Sequence, residues 1–218
     1  MKDILMPTSQ EQKAEGWDSL TEILDYFAEP KLVSWKVKVG LREANRISRL
    51  TAKTGTRVHQ LIHKDWKEGA YKLAKADSYE VKSCMQGWEQ FKKDHAPVIT
   101  AMEFEEKNED MKILCHPDMQ LGSELVELKT SGFIKPKHWI QLGTQKCTML
   151  HNGNQVSKTS VLRLDRNIGT YEYLSKQLEV CICHSSLLDI FRFCRSANGT
   201  EKEEHEYVYR DPDSSQVK

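Results

Sequence analysis

The stretch His116-Pro117-Asp118-Met119-Gln120-Leu121-Gly122-Ser123-Glu124-Leu125-Val126-Glu127-Leu128-Lys129-Thr130 limits what this chain can fold into more than any other. Two runs with alternating apolar positions flank Gly122-Ser123, and glycine at the first central position is what a two-residue type II′ hairpin turn requires. With that turn, residues whose numbers sum to 245 face each other: Asp118 faces Glu127, His116 faces Lys129 and Met119 faces Val126. Side chains alternate across a strand. Asp118, Glu127, Lys129 and His116 therefore share one face, while Met119, Val126 and Leu128 share the other, which reads as the core face.

Two carboxylates directly opposite each other, with Cβ atoms roughly 5 Å apart, repel and weaken a sheet. A hard divalent cation offsets that cost, because Mg²⁺ and its like take carboxylate oxygens. Lys129 follows Glu127 on the same face, where an ammonium can orient a water or stabilise charge growing on a phosphate. Glu-x-Lys by itself marks many solvated hairpins. The facing aspartate turns it into a pattern suited to metal-assisted phosphodiester hydrolysis.

The rest of the chain frames this hairpin. Ser19-Leu20-Thr21-Glu22 has the form of a capping box, and Leu20, Ile23, Leu24 and Phe27 recur at helical spacing until Pro30 ends the run. Residues 31–50 are basic and read as helix or loop. Gly55 opens a stronger helix with Val58, Leu61, Ile62 and Trp66 on its buried stripe, and another helix spans Cys84 to Asp94. After Pro97, residues 98–107, 111–121 and 124–130 read as strands and 136–150 as a helix. Residues 161–165 and 170–174 form a second hairpin, and an amphipathic helix runs from Gln177 to Arg195. This order predicts an α/β fold: a small central mixed β-sheet flanked by α-helices, with a helical N-terminal part. The domain is expected over 17–195, between a flexible segment 1–16 and a polar, acidic tail 196–218.

Charge and cysteine content narrow the class. The net charge is zero, yet Lys31 to Lys75 holds 12 Lys/Arg against 3 Asp/Glu. A solvated helix face has this composition, and so has a surface that meets a phosphate backbone. No apolar run approaches the ~20 residues of a membrane span, and the opening residues lack the apolar core of a signal peptide. A cytoplasmic location is expected, in the host if the source is viral, with no membrane partner. Cys84, Cys115, Cys147, Cys181, Cys183 and Cys194 lack the close spacing of a disulfide framework.

At the hairpin the chain resembles the PD-(D/E)XK nuclease superfamily, through Pro117-Asp118 and Glu127-Leu128-Lys129. Gly55-Thr56-Arg57-Val58-His59 resembles the Gly-x-x-x-His motif of its RecB-like and phage exonuclease branch, where a threonine such as Thr130 often follows the lysine. Ile140-Gln141-Leu142-Gly143-Thr144-Gln145 resembles the Gln-x-x-x-Tyr motif, with Gln145 in the place of the tyrosine. Leu20 to Leu24, Pro30, Leu32 and Trp35 resemble the N-terminal part of phage-encoded members. The likeness covers roughly 18–180.

The resemblance implies a restriction-endonuclease-like core and a specific set of roles. Asp118, Glu127 and Lys129 would be catalytic. Asp118, Glu127, His59 and the carbonyl of Leu128 would hold Mg²⁺ or Mn²⁺, and Glu103 could add a further carboxylate. Gln141, Thr130 and Arg57 would contact substrate. DNA is the implied partner, a single-strand-binding or annealing protein a further one, and an oligomer is open. Some relatives carry an iron–sulfur cluster on four cysteines; Cys181-x-Cys183 with Cys194 lacks a Cys-x-x-Cys pair, so none is expected.

The function these features imply is a DNA exonuclease of phage recombination, repair or replication. An endonuclease or structure-specific nuclease could use the same site, and a DNA-binding module that has lost catalysis could keep the fold. A zinc hydrolase on His59 and His63 is a further alternative, but His-Gln-Leu-Ile-His lacks the glutamate of the zinc protease motif. Trp17, Trp35, Trp66, Trp88 and Trp139 read mainly as core residues, with stacking on single-stranded DNA the other role open to one or two.

Overall fold

The structure, a computed structural model, describes residues 16–26 and 30–178. Its elements are β1 (Asp18–Ser19), α1 (Leu20–Tyr26), α2 (Pro30–Val39), α3 (Leu41–Glu68), α4 (Tyr79–His95), β2 (Ala101–Met102), β3 (Glu106–Asn108), β4 (Ile113–Cys115), β5 (Met119–Leu121), β6 (Glu124–Lys129), α5 (Pro136–His151), β7 (Lys158–Leu164) and β8 (Tyr171–Lys176). Gly122 has φ 60°, which a residue with a Cβ rarely adopts. Around it β5 and β6 pair antiparallel, with Met119 opposite Val126 and Leu121 opposite Glu124. The turn and register are those the sequence dictates.

The helix α5 carries the chain from β6 to β7, which lies parallel to β6 from Glu124–Lys158 to Lys129–Arg163. β8 folds back on β7, and β2 pairs with β5, giving a mixed sheet in the order β2-β5-β6-β7-β8. The fold is thus α/β, a central mixed sheet between helices with a helical N-terminal part.

Helices cover both faces of this sheet. Val58, Leu61 and Ile62 of α3, with Val81, Met85, Trp88 and Phe91 of α4, pack on Met119, Val126, Leu128, Leu162 and Leu164. On the other face Leu142 and Met149 of α5 pack on Leu125 and Val161. Burial of a strand on both faces drives apolar residues into successive positions, and β6 shows it at Leu125, Val126 and Leu128. Asp65 braces the two helices of the first face, accepting from Trp88 Nε1 at 2.8 Å and Lys92 Nζ at 2.6 Å.

Several elements depart from the sequence reading. The strand expected over 98–107 is two pieces in different sheets: β2 joins the central sheet, and β3 joins a smaller one in the order β1-β4-β3. The break falls at Glu103, whose φ is 46°. The strand expected over 111–121 divides likewise into β4 and β5 at His116-Pro117, because proline has no N–H to give to a ladder. His116 therefore does not face Lys129; it lies 3.7 Å from Glu105.

The helices differ in extent as well. Gly55 does not open a helix but lies inside α3, whose first turn follows Gly40 (φ 83°). A Cβ on Gly55 would make an ordinary van der Waals contact, 3.4 Å, with Thr130 Oγ1 at the end of β6. Pro30 also begins α2, a position its fixed φ suits. α4 starts at Tyr79, capped by Ser78, ahead of the expected Cys84. Phe27, the terminal helix beyond Leu178, the segment 1–15 and the tail lie outside the described residues. Among the described residues no helix is long and apolar enough to cross a membrane.

Gly87 gives a test of how tightly α4 seats on the β7–β8 turn. A Cβ there would meet the Thr170 carbonyl oxygen at 2.5 Å. Gly87→Ala should therefore destabilise the fold by ~1–3 kcal/mol, against alanine's ~1 kcal/mol advantage within a helix. Urea unfolding of the two proteins decides the sign, and a gain in stability would contradict this packing.

Candidate active site

Alternation along β6 turns Glu127 inward under α5, where it is fully buried. Lys129, next on the same face, is tied to it: Lys129 Nζ donates to Glu127 Oε1 and, at 3.3 Å, to Gln141 Oε1 on α5. Gln145, one turn further along α5, donates from Nε2 to Glu127 Oε2 at 3.2 Å. Residues four apart share a helix face, so Gln141 meets the lysine and Gln145 the acid.

Asp118 sits just before β5, where the hairpin register sets it against Glu127. Its Oδ2 accepts from the Leu128 backbone N–H at 2.8 Å, and its own carbonyl accepts from Glu103 N–H at 3.0 Å. His59 comes in from α3, one turn after Gly55. Its Nδ1 is 3.4 Å from Glu103 Oε1 and 3.7 Å from Asp118 Oδ1. Glu103 holds a left-handed backbone, and strain in a residue with a Cβ gathers where the surrounding structure needs it. The strand break that the sequence did not reveal is therefore what aims Glu103 at His59.

The electrostatics follow from burial and charge. Burial, then the neighbouring Asp118 carboxylate, push Glu127 from its ordinary 4.5 up to about 8, against the pull of Lys129. Burial would lower His59, but the charge of Asp118 and the hydrogen bond and charge of Glu103 outweigh it, so the imidazole is held above its ordinary value. The hydrogen bond from His59 is the main cause that holds Glu103 below the usual carboxylate range. The cluster is an acid-rich centre in which Glu127 holds a proton more tightly than a free carboxyl and His59 more tightly than a free imidazole.

The structure thus brings together Asp118, Glu127, Lys129, Gln141, His59 and Glu103. Leu128 takes part through its backbone while its side chain is buried in the core. Thr130 lies on the opposite face, against Gly55. Arg57 is not brought to the cluster: its guanidinium forms paired bonds of 2.8 and 3.0 Å to Asp77. His63 turns to the Trp66 ring at 5.7 Å. Gln145 had only its place in a motif to mark it. Its polar side chain, one helical turn beyond Gln141, was the available signal for a contact with Glu127. Cys84, Cys115 and Cys147 are free thiols, and burial pushes Cys84 and Cys115 up to about 12, which leaves them unreactive. The other three cysteines lie outside the described residues.

Whether these residues suit a metal turns on their donors. Among the described residues no three His, Cys, Asp or Glu side chains already converge closely enough to enclose an ion. Lys129 and Gln145 engage the oxygens of Glu127, and Leu128 N–H engages one of Asp118. The donor chemistry nevertheless fits a hard divalent cation. The charge of Asp118 helps to raise the Glu127 carboxyl, and Gln145 Oε1 is buried with no hydrogen-bond partner among the described residues. A cation or a proton is what such a pair of acids needs.

No family model matches the chain, and no curated protein is similar to it. Among solved structures, it is similar to an alkaline exonuclease, LHK-Exo, from Laribacter hongkongensis, at 11% identity and TM-score 0.47, over 87% of this chain and 94% of that one. The same enzyme in complex with dAMP matches at 12% identity and TM-score 0.35, over 66% and 85% of the two chains. A protein named SSO0001 matches at 12% identity and TM-score 0.41, over 89% and 84%.

The buried acid makes stability depend on pH. The folded-state pKa of Glu127 lies above its ordinary 4.5, so the native chain keeps a proton that the unfolded chain releases. Its stabilising share is full below about pH 4.5 and is lost as pH rises toward 8. In EDTA, Glu127→Gln should be more stable than the parent at pH 8 by ~1 kcal/mol or more, with the gain vanishing near pH 4.5. Thermal unfolding across that range tests it; a gain that does not depend on pH would rule this cause out.

Proposed function

We propose that this chain is a metal-dependent nuclease of the PD-(D/E)XK type that hydrolyses phosphodiester bonds in DNA, foremost as an exonuclease serving phage-type recombination, repair or replication. The observation that carries the reading is the fully buried Glu127 set against Asp118, with Lys129 held between Glu127 and Gln141. A structural role does not account for it, because a buried acid beside a second acid costs stability.

Asp118, Glu127 and the Leu128 carbonyl, with His59 and Glu103 on the open side, are the residues that would hold Mg²⁺ or Mn²⁺. Such an ion supplies Lewis acidity and lowers the pKa of bound water. The chain's own residues do the rest. Gln141 fixes the Lys129 ammonium beside the acids, where it meets charge that develops on a phosphate oxygen. Gln145 keeps the Glu127 carboxylate in one orientation, and His59 would stand beside Asp118 and Glu103 as a further nitrogen donor to the ion.

Two measurements test this. Linear and closed-circular DNA, single- and double-stranded, are incubated with Mg²⁺, Mn²⁺ or EDTA. The parent should degrade linear DNA only with metal, and Lys129→Ala should be slower by ~10²-fold or more. Cutting of circles would make the protein an endonuclease on the same site, and no cutting under any metal would overturn the nuclease reading. Independently of activity, Mg²⁺ or Mn²⁺ at ten times its dissociation constant should stabilise the parent by ~1.4 kcal/mol against thermal unfolding. Asp118→Asn should lose that response.

A further inference from the structure

The first half of α3 carries a charge pattern that the site does not use. Arg42, Arg46, Arg49 and Lys53 are spaced by four, three and four residues and are all exposed. At ~100° per residue they fall within roughly 60° of one another around the helix. Neighbours at these spacings weaken a helix when their charges are alike. Several other cations are paired: Arg57 with Asp77, Lys92 with Asp65, Arg163 with Glu172. On this stripe Arg46 alone is paired, with Glu43 at 2.7 Å. Arg42, Arg49 and Lys53 form no ion pair or hydrogen bond with any described residue.

These cations line a groove of about 1010 Å³ in the crook between α2 and α3, with Val39 and Leu50 along it. A second hollow of about 520 Å³ continues from Leu50 and Lys53 to Arg166. From Arg42 to Lys53 the stripe is ~16 Å long at 1.5 Å per residue. That is about five phosphate steps of one duplex strand at 3.4 Å. Lys53 lies ~9 Å along the axis from His59 and about a third of a turn around it.

We infer that Arg42, Arg46, Arg49 and Lys53 form a docking track for the phosphodiester backbone of a nucleic-acid strand that continues past the reacting phosphate. The inference rests on the nuclease reading and adds where the unreacted part of the substrate lies. Anionic phosphates at this spacing offset the repulsion along the stripe, and Leu50 offers an apolar contact to sugars or bases between them. A short oligonucleotide at the acids cannot reach the stripe, whereas a longer one must pass it.

The test is binding in EDTA, which separates it from catalysis. Fluorescence anisotropy is read with labelled single-stranded and duplex DNA, each as a 20-mer, and with a labelled trinucleotide. The proteins are the parent, the triple variant Arg42→Gln, Arg49→Gln, Lys53→Gln, and a control of equal charge, Lys67→Gln, Lys72→Gln, Lys93→Gln, at the far end of α3 and beyond. The stripe variant should bind a 20-mer at least tenfold more weakly at ~100 mM salt. Its dependence of log K on log salt should flatten by ~2–3, at 0.7–0.9 per lost phosphate contact. The control should change neither, and the trinucleotide should be unaffected by both. Loss with the single strand or the duplex alone would tell which form the track takes.

Parent-like binding of the 20-mers by the stripe variant, an equal loss in the control, or tighter binding of poly-L-glutamate than of DNA would overturn the track. DNA cleavage with an intact salt slope in the stripe variant would overturn the track and leave the nuclease reading standing. Track-dependent binding without cleavage under any metal would do the reverse.

Discussion

The structure depends on one unfavourable burial. β6 is covered on both faces, so every inward position along it should be apolar, yet Glu127 stands there beside Asp118. Removing a carboxylate from water costs on the order of several kcal/mol, and a second acid alongside adds to it. The surrounding architecture answers this cost. Lys129 brings a cation along the same strand face, and Gln145 brings an N–H from above. The Leu128 N–H holds Asp118. The same partners that make the acid tolerable also restrict it to one place, which is what a reacting centre requires.

That place is where three elements meet. β6 fixes the spacing of Glu127 and Lys129, and α5 lays Gln141 and Gln145 over them. α3, which packs against the end of β6 at Thr130, delivers His59. Each contribution comes from a rigid element, and the crossover from β6 through α5 to β7 links the first two covalently. The acids are thereby positioned by the ladder of the sheet itself and the helices beside it.

The sequence conveyed the ladder well and the excursions poorly. The 245 register was legible because a glycine in a two-residue turn and strict alternation leave one solution, and from it followed Asp118, Glu127 and Lys129. α5 was legible from its periodicity. What escaped was non-local. Nothing in 98–107 marks Glu103 as the point where the chain leaves one sheet for another, since the left-handed backbone there is imposed by its surroundings. His116-Pro117 did carry a signal, a proline in a run read as a strand, and its consequence for His116 follows from the missing N–H. Gly55 looked like a helix start because glycine is costly inside helices; it lies instead within α3. Arg57 shared a motif with His59 but points round the helix to Asp77.

Glu103 and Pro117 also bound a single excursion. Between them the chain leaves the central sheet, builds β3 and β4, receives β1 from the N-terminal part, and returns. The smaller sheet is thus an insertion spliced into the hairpin of β2 and β5, and its two splice points are the residues that flank His59: Glu103 on departure, Asp118 on return. Remodelling of 104–117, in length or in composition, acts on the rim of the acid cluster while leaving the pairing of β5 with β6 in place. The ladder that holds the acids and the shape of its mouth are thus set by separate segments of the chain.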